Sequence, residues 1–438
     1  MSVFIGYPSF MAYQMMKGKK DNNDGFPTIP GTIARYSALG LTNEQMKENP
    51  VWVDKTGNGH DLQMKNFAWK EGSGISDVYP GALVFDGVDD YGVCDNFPIL
   101  TKEKGYTVVA LRQWISIDEG PCGLVSNVKH WFEDGAFVLE SLYPDSIYTT
   151  SFGATRGQKD LPHILTYQTS KSYNGNLIAT GSYKGTDVLH VGRLVPTNVG
   201  ARSNVAIWEL VFLDHDATEE ELTKIKDYFV KTYPWLFPDQ AWTVVGKTNE
   251  DEDRATIANI TGNGNDLVLS NFGFIEGSGY NEEGEYAGYL VTDGVDDEVR
   301  SAAFTLNEDW TIVGNWEFIT NENKNAGLTK VYSFYLYNRD YGIFVYEYLN
   351  AGQGFSVEDV KSLKAICSDG RIYLNDWQEI RNNIEQEATI SKGVMAIGYF
   401  NRDFTKMAFK NLGIYNNQLL SKDDCIKAYN YLQTLKAK

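Results

Sequence analysis

The sequence predicts an all-β protein built as two sandwiches in tandem, each closed by a short C-terminal helix. Three observations lead there: a set of motifs that returns half a chain later, strand-length apolar runs separated by turn signals at intervals of about ten residues, and a capped amphipathic helix at the end of each half. Length agrees, because 438 residues exceed the roughly 250–300 at which a single hydrophobic core stops growing. With 42% hydrophobic and 22% charged residues the chain is neither disordered nor fibrous. The 27 Tyr, 22 Phe and 10 Trp favour half-buried pleated surfaces, and 41 Gly supply turns.

Residues 1–30 have no counterpart in the second half. They join an apolar, Met-rich stretch carrying Phe4, Tyr7, Phe10, Met11, Met15 and Met16 to a charged connector containing Gly and Pro. Methionine fills irregular grooves adaptably, which suits an arm that docks on another subunit; the other reading is a strand that completes the first sandwich. The run from Val3 to Met16 lacks preceding basic residues and contains Pro8, so no signal peptide is expected. No stretch reaches the roughly 20 apolar residues that span a bilayer, and no membrane insertion is expected.

The repeat begins after this arm. Thr56-Gly57-Asn58-Gly59-His60-Asp61-Leu62 returns as Thr261-Gly262-Asn263-Gly264-Asn265-Asp266-Leu267. Asn66-Phe67 then matches Asn271-Phe272, Glu71-Gly72-Ser73-Gly74 matches Glu276-Gly277-Ser278-Gly279, and Asp86-Gly87-Val88-Asp89-Asp90 matches Asp293-Gly294-Val295-Asp296-Asp297. Upstream, Gly40-Leu41-Thr42-Asn43-Glu44 matches Gly246-Lys247-Thr248-Asn249-Glu250. Several identities in one order imply a shared fold, with sandwiches over residues 31–235 and 236–438.

Strands are expected at Tyr106 to Trp114, Val205 to Leu213, Trp310 to Phe318, Lys330 to Tyr337 and Tyr341 to Tyr348. Gly-Val-Asp-Asp follows the apolar run Ala82 to Phe85 and reads as a hairpin turn into Tyr91-Gly92-Val93. Thr218-Glu219-Glu220-Glu221 is a capping box, followed at helical spacing by Leu222, Ile225 and Phe229. Ser421-Lys422-Asp423-Asp424 opens the corresponding helix of the second half, with Cys425, Ala428, Tyr431 and Leu432 on its buried positions.

Charge narrows the partners. Lys and Arg total 39 against 58 Asp and Glu, a net −19, so a phosphate backbone is repelled and no nucleic acid is expected as partner. The four cysteines, Cys94, Cys122, Cys367 and Cys425, form no CxxC and have no His at metal-ligand spacing; they read as buried thiols.

The residues from Ala82 to Tyr91 resemble the FDGxDDY strand and turn of laminin-G-like, concanavalin A-like jelly-roll domains. Tyr173-Asn174-Gly175 is similar to the Y-x-N-G hairpin of that family, Leu189-His190-Val191-Gly192 to its L-x-I-G strand, and Trp208 to Tyr233 to its terminal strand and T-x-E-E helix. The second half departs at Thr292, where the family has Phe, and Tyr373-Leu374-Asn375-Asp376 lacks the hairpin Gly. The resemblance implies two tandem concanavalin A-like (laminin-G-like) jelly-roll sandwiches. It implies little about function, since the same sandwich hosts lectins, glycanases, adhesins and spacers. The tandem TGNG(H/N)DL variant also resembles virion proteins of crAss-like phages of Bacteroidetes. That likeness implies a head fibre, tail fibre or tail accessory component, located in the virion and assembled in the host cytoplasm. Its partners would be other virion proteins, copies of itself, and host surface glycans. The alternative is a bacterial carbohydrate-binding, lectin-like protein.

Catalytic chemistry finds no foothold in the sequence. Retaining glycanase chemistry needs two carboxylates about 5 to 5.5 Å apart, and the E-x-D-x-E pattern that would supply them is absent. Glu250 to Asp253 reads as a solvated acidic loop, and the Thr-Gly-Asn-Gly turns lack the Lys-Ser or Lys-Thr of a phosphate loop. Histidines 60, 130, 163, 190 and 215 are scattered, so no catalytic residues and no cofactor are assigned. The Asp-Gly-x-Asp-Asp turns offer oxygens to Ca²⁺, or serve as tight turns whose carboxylates cap local amides. Trp69, Trp131, Tyr143 and Tyr148 lie in or near expected loops, where they could stack on a sugar ring, contact a partner or pack inward.

Overall fold

The computed structural model describes residues 24–100, 105–116, 122–127, 138–143, 146–148, 154–155, 163–168, 186–193, 202–319, 334–337, 343–344, 361–381, 393–397, 399–400, 403–404 and 406–437. Phe4, Tyr7, Phe10, Met11, Met15, Met16, Trp131 and the Tyr173-Asn174-Gly175 motif lie outside these residues. Tyr143 and Tyr148 lie on described strands, and their side chains are outside the description.

The chain is all-β, as expected, and folds as two compact units, the first ending at Thr232 and the second made of the chain from Tyr233 onward together with short pieces from earlier in the chain, Ser76–Pro80 among them. In the first unit one sheet has the order His163–Gln168, Thr107–Ser116, Asn204–Leu213, Leu83–Asp86, Gly74–Ile75, and Thr32–Ser37 also pairs with Asn204–Leu213. The opposing sheet runs Ala154–Thr155, Ser146–Tyr148, Val138–Tyr143, Cys122–Ser126, Val188–Val191, Tyr91–Asp95, Leu62–Lys65, Val51–Trp52. Alternate residues of the two inner faces interdigitate to make the core, Val108, Ala110, Val205 and Ile207 from one sheet meeting Leu62, Cys94, Leu124, Leu189 and Val191 from the other. Buried position 209 is polar because the register shifts between Ile207 and Glu209; the inward set passes from 205 and 207 to 210 and 212, and Glu209 is turned away from the apolar core.

The second unit repeats the plan. One sheet carries Tyr289–Val291, Met407–Asn416, Trp310–Phe318 and Ser362–Cys367 in that order, with Gln240–Thr243 again on the long closing strand. The other carries Thr256–Ile257, Leu267–Ser270, Glu298–Phe304, Gly393–Ile397, Phe334–Tyr337 and Ile343–Phe344.

A helix closes each unit. Glu219–Thr232 starts with the expected capping box: the Glu221 amide donates to Thr218 Oγ1 (3.3 Å) and the Thr218 amide to the Glu221 carboxylate (2.8 Å). Its Ile225, Tyr228 and Phe229 are buried, while Leu222 is only half-buried. Lys422–Gln433 is capped by Ser421, whose hydroxyl accepts from the Asp424 amide (3.1 Å), and it buries Cys425, Ala428, Tyr431 and Leu432 as expected. Pro234–Leu236 belongs with the second unit, where the Trp235 carbonyl accepts from the Tyr415 hydroxyl (2.9 Å). The described thiols of Cys94, Cys367 and Cys425 are buried and free, in line with the sequence reading.

One expectation is corrected. Asp86-Gly87-Val88-Asp89-Asp90 is not a hairpin turn, because Leu83–Asp86 lies in one sheet and Tyr91–Asp95 in the other. The turn carries the chain across the sandwich, and its counterpart at 293–297 does the same between Tyr289–Val291 and Glu298–Phe304. Apolar run, turn and apolar run read alike in both arrangements; only the pairing partners distinguish them.

Candidate functional site

The two crossover corners are built by the same hydrogen bonds. Asp86 Oδ1 accepts from the amides of Val88 (2.8 Å) and Asp89 (3.2 Å), and Asp293 Oδ1 accepts from Val295 (2.7 Å) and Asp296 (3.3 Å). Asp90 Oδ2 accepts from the Asp86 amide (3.1 Å), as Asp297 Oδ2 does from Asp293 (2.8 Å). Asn66 Nδ2 donates to the Asp89 carbonyl (3.0 Å) and Asn271 Nδ2 to the Asp296 carbonyl (2.9 Å). Both asparagines sit at positive φ, 70° and 67°, a conformation that Asn tolerates better than most residues. These bonds are what the tight-turn reading requires of the carboxylates.

The corners also gather charge. One carboxyl oxygen from each of Asp86, Asp89 and Asp90 lies within 4.8 Å of the others, and the same holds for Asp293, Asp296 and Asp297. Burial, with the neighbouring Asp86 and Asp89 charges, lifts Asp90 to about 7 against the weaker opposing effect of Ser73. Burial likewise lifts Asp297 to about 6, where Ser278 Oγ donates to Oδ1 (3.0 Å).

The Thr-Gly-Asn-Gly turns are frame elements. Thr56 Oγ1 donates to Asp54 Oδ1 (2.8 Å) and Asn58 Nδ2 to the Ile33 carbonyl (2.8 Å); in the second unit Thr261 Oγ1 donates to Asn259 Oδ1 (3.0 Å) and Asn263 Nδ2 to the Asp239 carbonyl (2.7 Å). Asn43 and Asn249 each clamp a distant strand through both side-chain atoms, Asn43 on the amide and carbonyl of Ile75 and Asn249 on those of Tyr280.

Trp69 is half-buried, with φ at 51°, and stacks on Phe67 (4.8 Å between centroids, 17° between planes). Its repeat counterpart Phe274 has φ at 50° and packs beside Phe272. The structure therefore gives Trp69 a packing role on one face.

Sequence reasoning passed over two arginine groups. Arg35 donates to both carboxylate oxygens of Glu209 (3.1 and 3.2 Å), to the Tyr228 hydroxyl (2.7 Å) and to Asp24 (2.7 Å), with Phe26 stacked on the guanidinium at 4.1 Å. It borders a cleft of about 370 Å³ lined also by Phe26, Thr28, Lys55, Thr56 and Asn58. Asp24 and Phe26 thus place the end of the 1–30 segment on the sandwich.

The second group flanks the first corner. Arg193 lies over the Tyr91 ring at 3.6 Å and Arg202 at 5.2 Å, and the two arginines face each other across an antiparallel bridge. Arg193 donates to His190 Nδ1 from Nη2 (2.9 Å). Burial and the two guanidinium charges push His190 down to about 3, so its ring is neutral at physiological pH. No spacing rule joins residues 91, 193 and 202; strand pairing brings them together.

No known protein family matches the chain, and no curated protein matches it. Among solved structures, the sialidase of Trypanosoma rangeli in complex with the inhibitor DANA aligns over 51% of this chain at 16% identity and TM-score 0.32, and the alignment spans only 39% of the sialidase. The binding domain of botulinum neurotoxin serotype D aligns over 89% of this chain and 96% of its own, at 8% identity and TM-score 0.34. Among the described residues no helix is long and apolar enough to cross a membrane.

Proposed function

We propose that the chain is a non-enzymatic display protein whose two lectin-like sandwiches serve assembly or host-surface contact. On this reading it is a virion component of a phage, of the head-fibre, tail-fibre or tail-accessory kind. One observation carries the reading. The two units keep the same frame, corner for corner and clamp for clamp, while residues at matching positions on the corner's flank differ in charge and shape. That is what duplication of a scaffold for presenting surfaces produces, whereas duplicated catalysis requires the reacting groups themselves to persist. Many copies on one particle turn weak individual contacts into avidity. The bacterial lectin-like alternative shares the same sandwiches and differs in needing no assembly element.

The test compares the full chain with a chain beginning at Asp24, which keeps the Asp24 and Phe26 contacts to Arg35. Light scattering and electron microscopy should show a defined oligomer for the full chain that the truncated chain does not form. Equal monomers in both, together with binding of a glycan on an array, would favour the alternative.

A further inference from the structure

The cleft beside Arg35 measures about 370 Å³, within the roughly 300–1,000 Å³ of small-molecule pockets. Its apolar lining is Phe26, Pro27 and Ile29. The rest of the lining has hydrogen-bonding capacity to spare. Lys55 and Thr28 are exposed, and their side chains have no hydrogen-bond or ion-pair partner among the described residues. Asn58 commits Nδ2 to the Thr32 and Ile33 carbonyls (3.2 and 2.8 Å), which fixes the amide and leaves Oδ1 as an acceptor. Asp24 is 37% exposed at its side chain, and although burial pushes its carboxyl up, Arg35 and more weakly Lys55 hold it below the ordinary carboxylate range. It is therefore an ionised acceptor with lone pairs beyond those taken by the Phe26 amide and Arg35.

The shared frame does not require this surface. Strand register matches Arg35 to Ala241. The Lys55 amide donates to the Arg35 carbonyl (2.7 Å) as the Ile260 amide donates to the Ala241 carbonyl (2.9 Å), so Lys55 stands where the second unit has Ile260. Ala241 and Ile260 are both buried. The turn residues Thr56 and Asn58 are kept in the second unit as Thr261 and Asn263, with the same bonds. What the first unit adds to the common scaffold is an accessible ammonium beside a carboxylate and an aromatic ring.

We infer that this cleft of the first unit binds a neutral saccharide unit. Arg35 has little to offer an anion, because Nε, Nη1 and Nη2 already donate to Glu209, Asp24 and Tyr228. Lys55 is the remaining cation of the lining and is balanced by Asp24, in a chain whose net charge of −19 repels anions at long range. Donors and acceptors thus stand together without a net positive charge, which suits hydroxyl groups, since each hydroxyl both donates and accepts. A pyranose meets the lining on both counts: its hydroxyls pair with Lys55, Thr28, Asn58 Oδ1 and Asp24, and its C–H face packs on Phe26. The saccharide part of this inference rests on the lectin-like reading proposed above.

The experiment is ligand-observed NMR titration of the full chain with the methyl glycosides of glucose, galactose, mannose, N-acetylglucosamine and fucose, and with glucuronate as the charged counterpart. At least one neutral glycoside should bind, and glucuronate should bind no more tightly than methyl glucoside. Lys55→Ile, which copies the second unit, and Thr28→Val alter exposed side chains and should melt near the unaltered protein. Lys55→Ile should weaken the bound glycoside about tenfold or more, the loss of a hydrogen bond to a charged group, and Thr28→Val roughly two- to tenfold. No binding of any of these glycosides would overturn the inference, and the glycan array described above then decides the lectin-like reading separately. A glycoside bound equally by the unaltered protein and both variants, or lost only in Trp69→Ala, would overturn the inference while leaving the lectin-like reading standing. Glucuronate bound more tightly than every neutral glycoside would overturn the neutral class of ligand.

Discussion

Removing the Glu209 carboxylate should destabilise the first unit far more than removing the whole ionic group. Glu209 is fully buried and Arg35 only 3% exposed, and they share two hydrogen bonds of 3.1 and 3.2 Å. In Glu209→Ala the guanidinium keeps Asp24 and Tyr228 but loses both Glu209 oxygens, and breaking a buried pair from one side costs about 3–5 kcal/mol. For a unit of this size that corresponds to a fall of roughly 6–20 °C in melting temperature. The second unit holds the alternative: Arg35 and Glu209 correspond in register to Ala241 and Asn411. Asn411 accepts from Thr243 Oγ1 (2.6 Å) and donates to Gln433 of the closing helix (3.0 Å), a neutral link in place of an ionic one. The double variant Arg35→Ala, Glu209→Asn should therefore lose less stability than Glu209→Ala alone, since the Arg35 guanidinium is no longer left buried without the Glu209 carboxylate, and the Asp24 it releases is part-exposed. Urea and thermal unfolding give the magnitude, and hydrogen exchange over Glu219–Thr232 assigns the loss to this unit. A Glu209→Ala effect under about 1 kcal/mol, or a double variant worse than the single, would refute the reasoning.

Asp90→Asn tests the corner. The folded carboxyl lies at about 7 against an ordinary 3.8, so the unaltered protein loses stability as pH rises between these values, with a limiting slope of about 1.4 kcal/mol per pH unit. Asparagine keeps an acceptor for the Asp86 amide and removes that slope; urea titrations at pH 5 and 8 should show the variant gaining on the original at pH 8, and parallel curves would count against it. Gly192→Ala should be severe, because at φ 77° the added Cβ meets Phe85 Cδ1 at 2.2 Å, whereas Gly57→Ala at the same φ of 77° meets nothing within 4 Å. The first should add an overpacking cost of about 1–3 kcal/mol to the left-handed backbone cost of about 1–2 kcal/mol that both variants share, and equal melting temperatures would contradict it. Trp69→Ala should cost about 2 kcal/mol through the lost Phe67 stack, less than the 3–5 kcal/mol typical of a fully buried Trp; a loss of glycan binding without loss of stability would restore the sugar-stacking role.

The fold was legible because its signals are local and occur twice. The capping box at Thr218, the N-cap at Ser421, the long strands around Val205 and Trp310, and the Asn-bearing turns each follow from a few neighbouring residues, and the second copy vouches for the first. The corner at Asp86 was misread for a complementary reason: turn chemistry fixes where the chain bends, and sheet membership depends on a strand more than a hundred residues away. The arginine groups stayed hidden for the same cause. Arg35 meets Glu209 at a separation of 174 residues, and Arg202 reaches Tyr91 only because the bridge to Arg193 sets it beside the first corner. Trp69 was visible as an aromatic near a turn, but its inward stack depends on a positive φ that no residue type announces.

The position of Asn204–Leu213 has a consequence for how the protein is made. This strand is the last of its unit in the chain, yet it is the one on which Thr32–Ser37, Leu83–Asp86 and Thr107–Ser116 all pair. Until the ribosome has delivered it, those three strands have no common partner and their edges stand open. Met407–Asn416 holds the same place in the second unit, for Gln240–Thr243, Tyr289–Val291 and Trp310–Phe318. At about 5–20 residues per second the two closing strands emerge some 10–40 s apart, time enough for the first sandwich to shut before the second can begin. Two similar β-folds in one polypeptide are prone to exchange strands, and synthesis order keeps them apart: the first sheet is sealed by its own closing strand before the second unit possesses one.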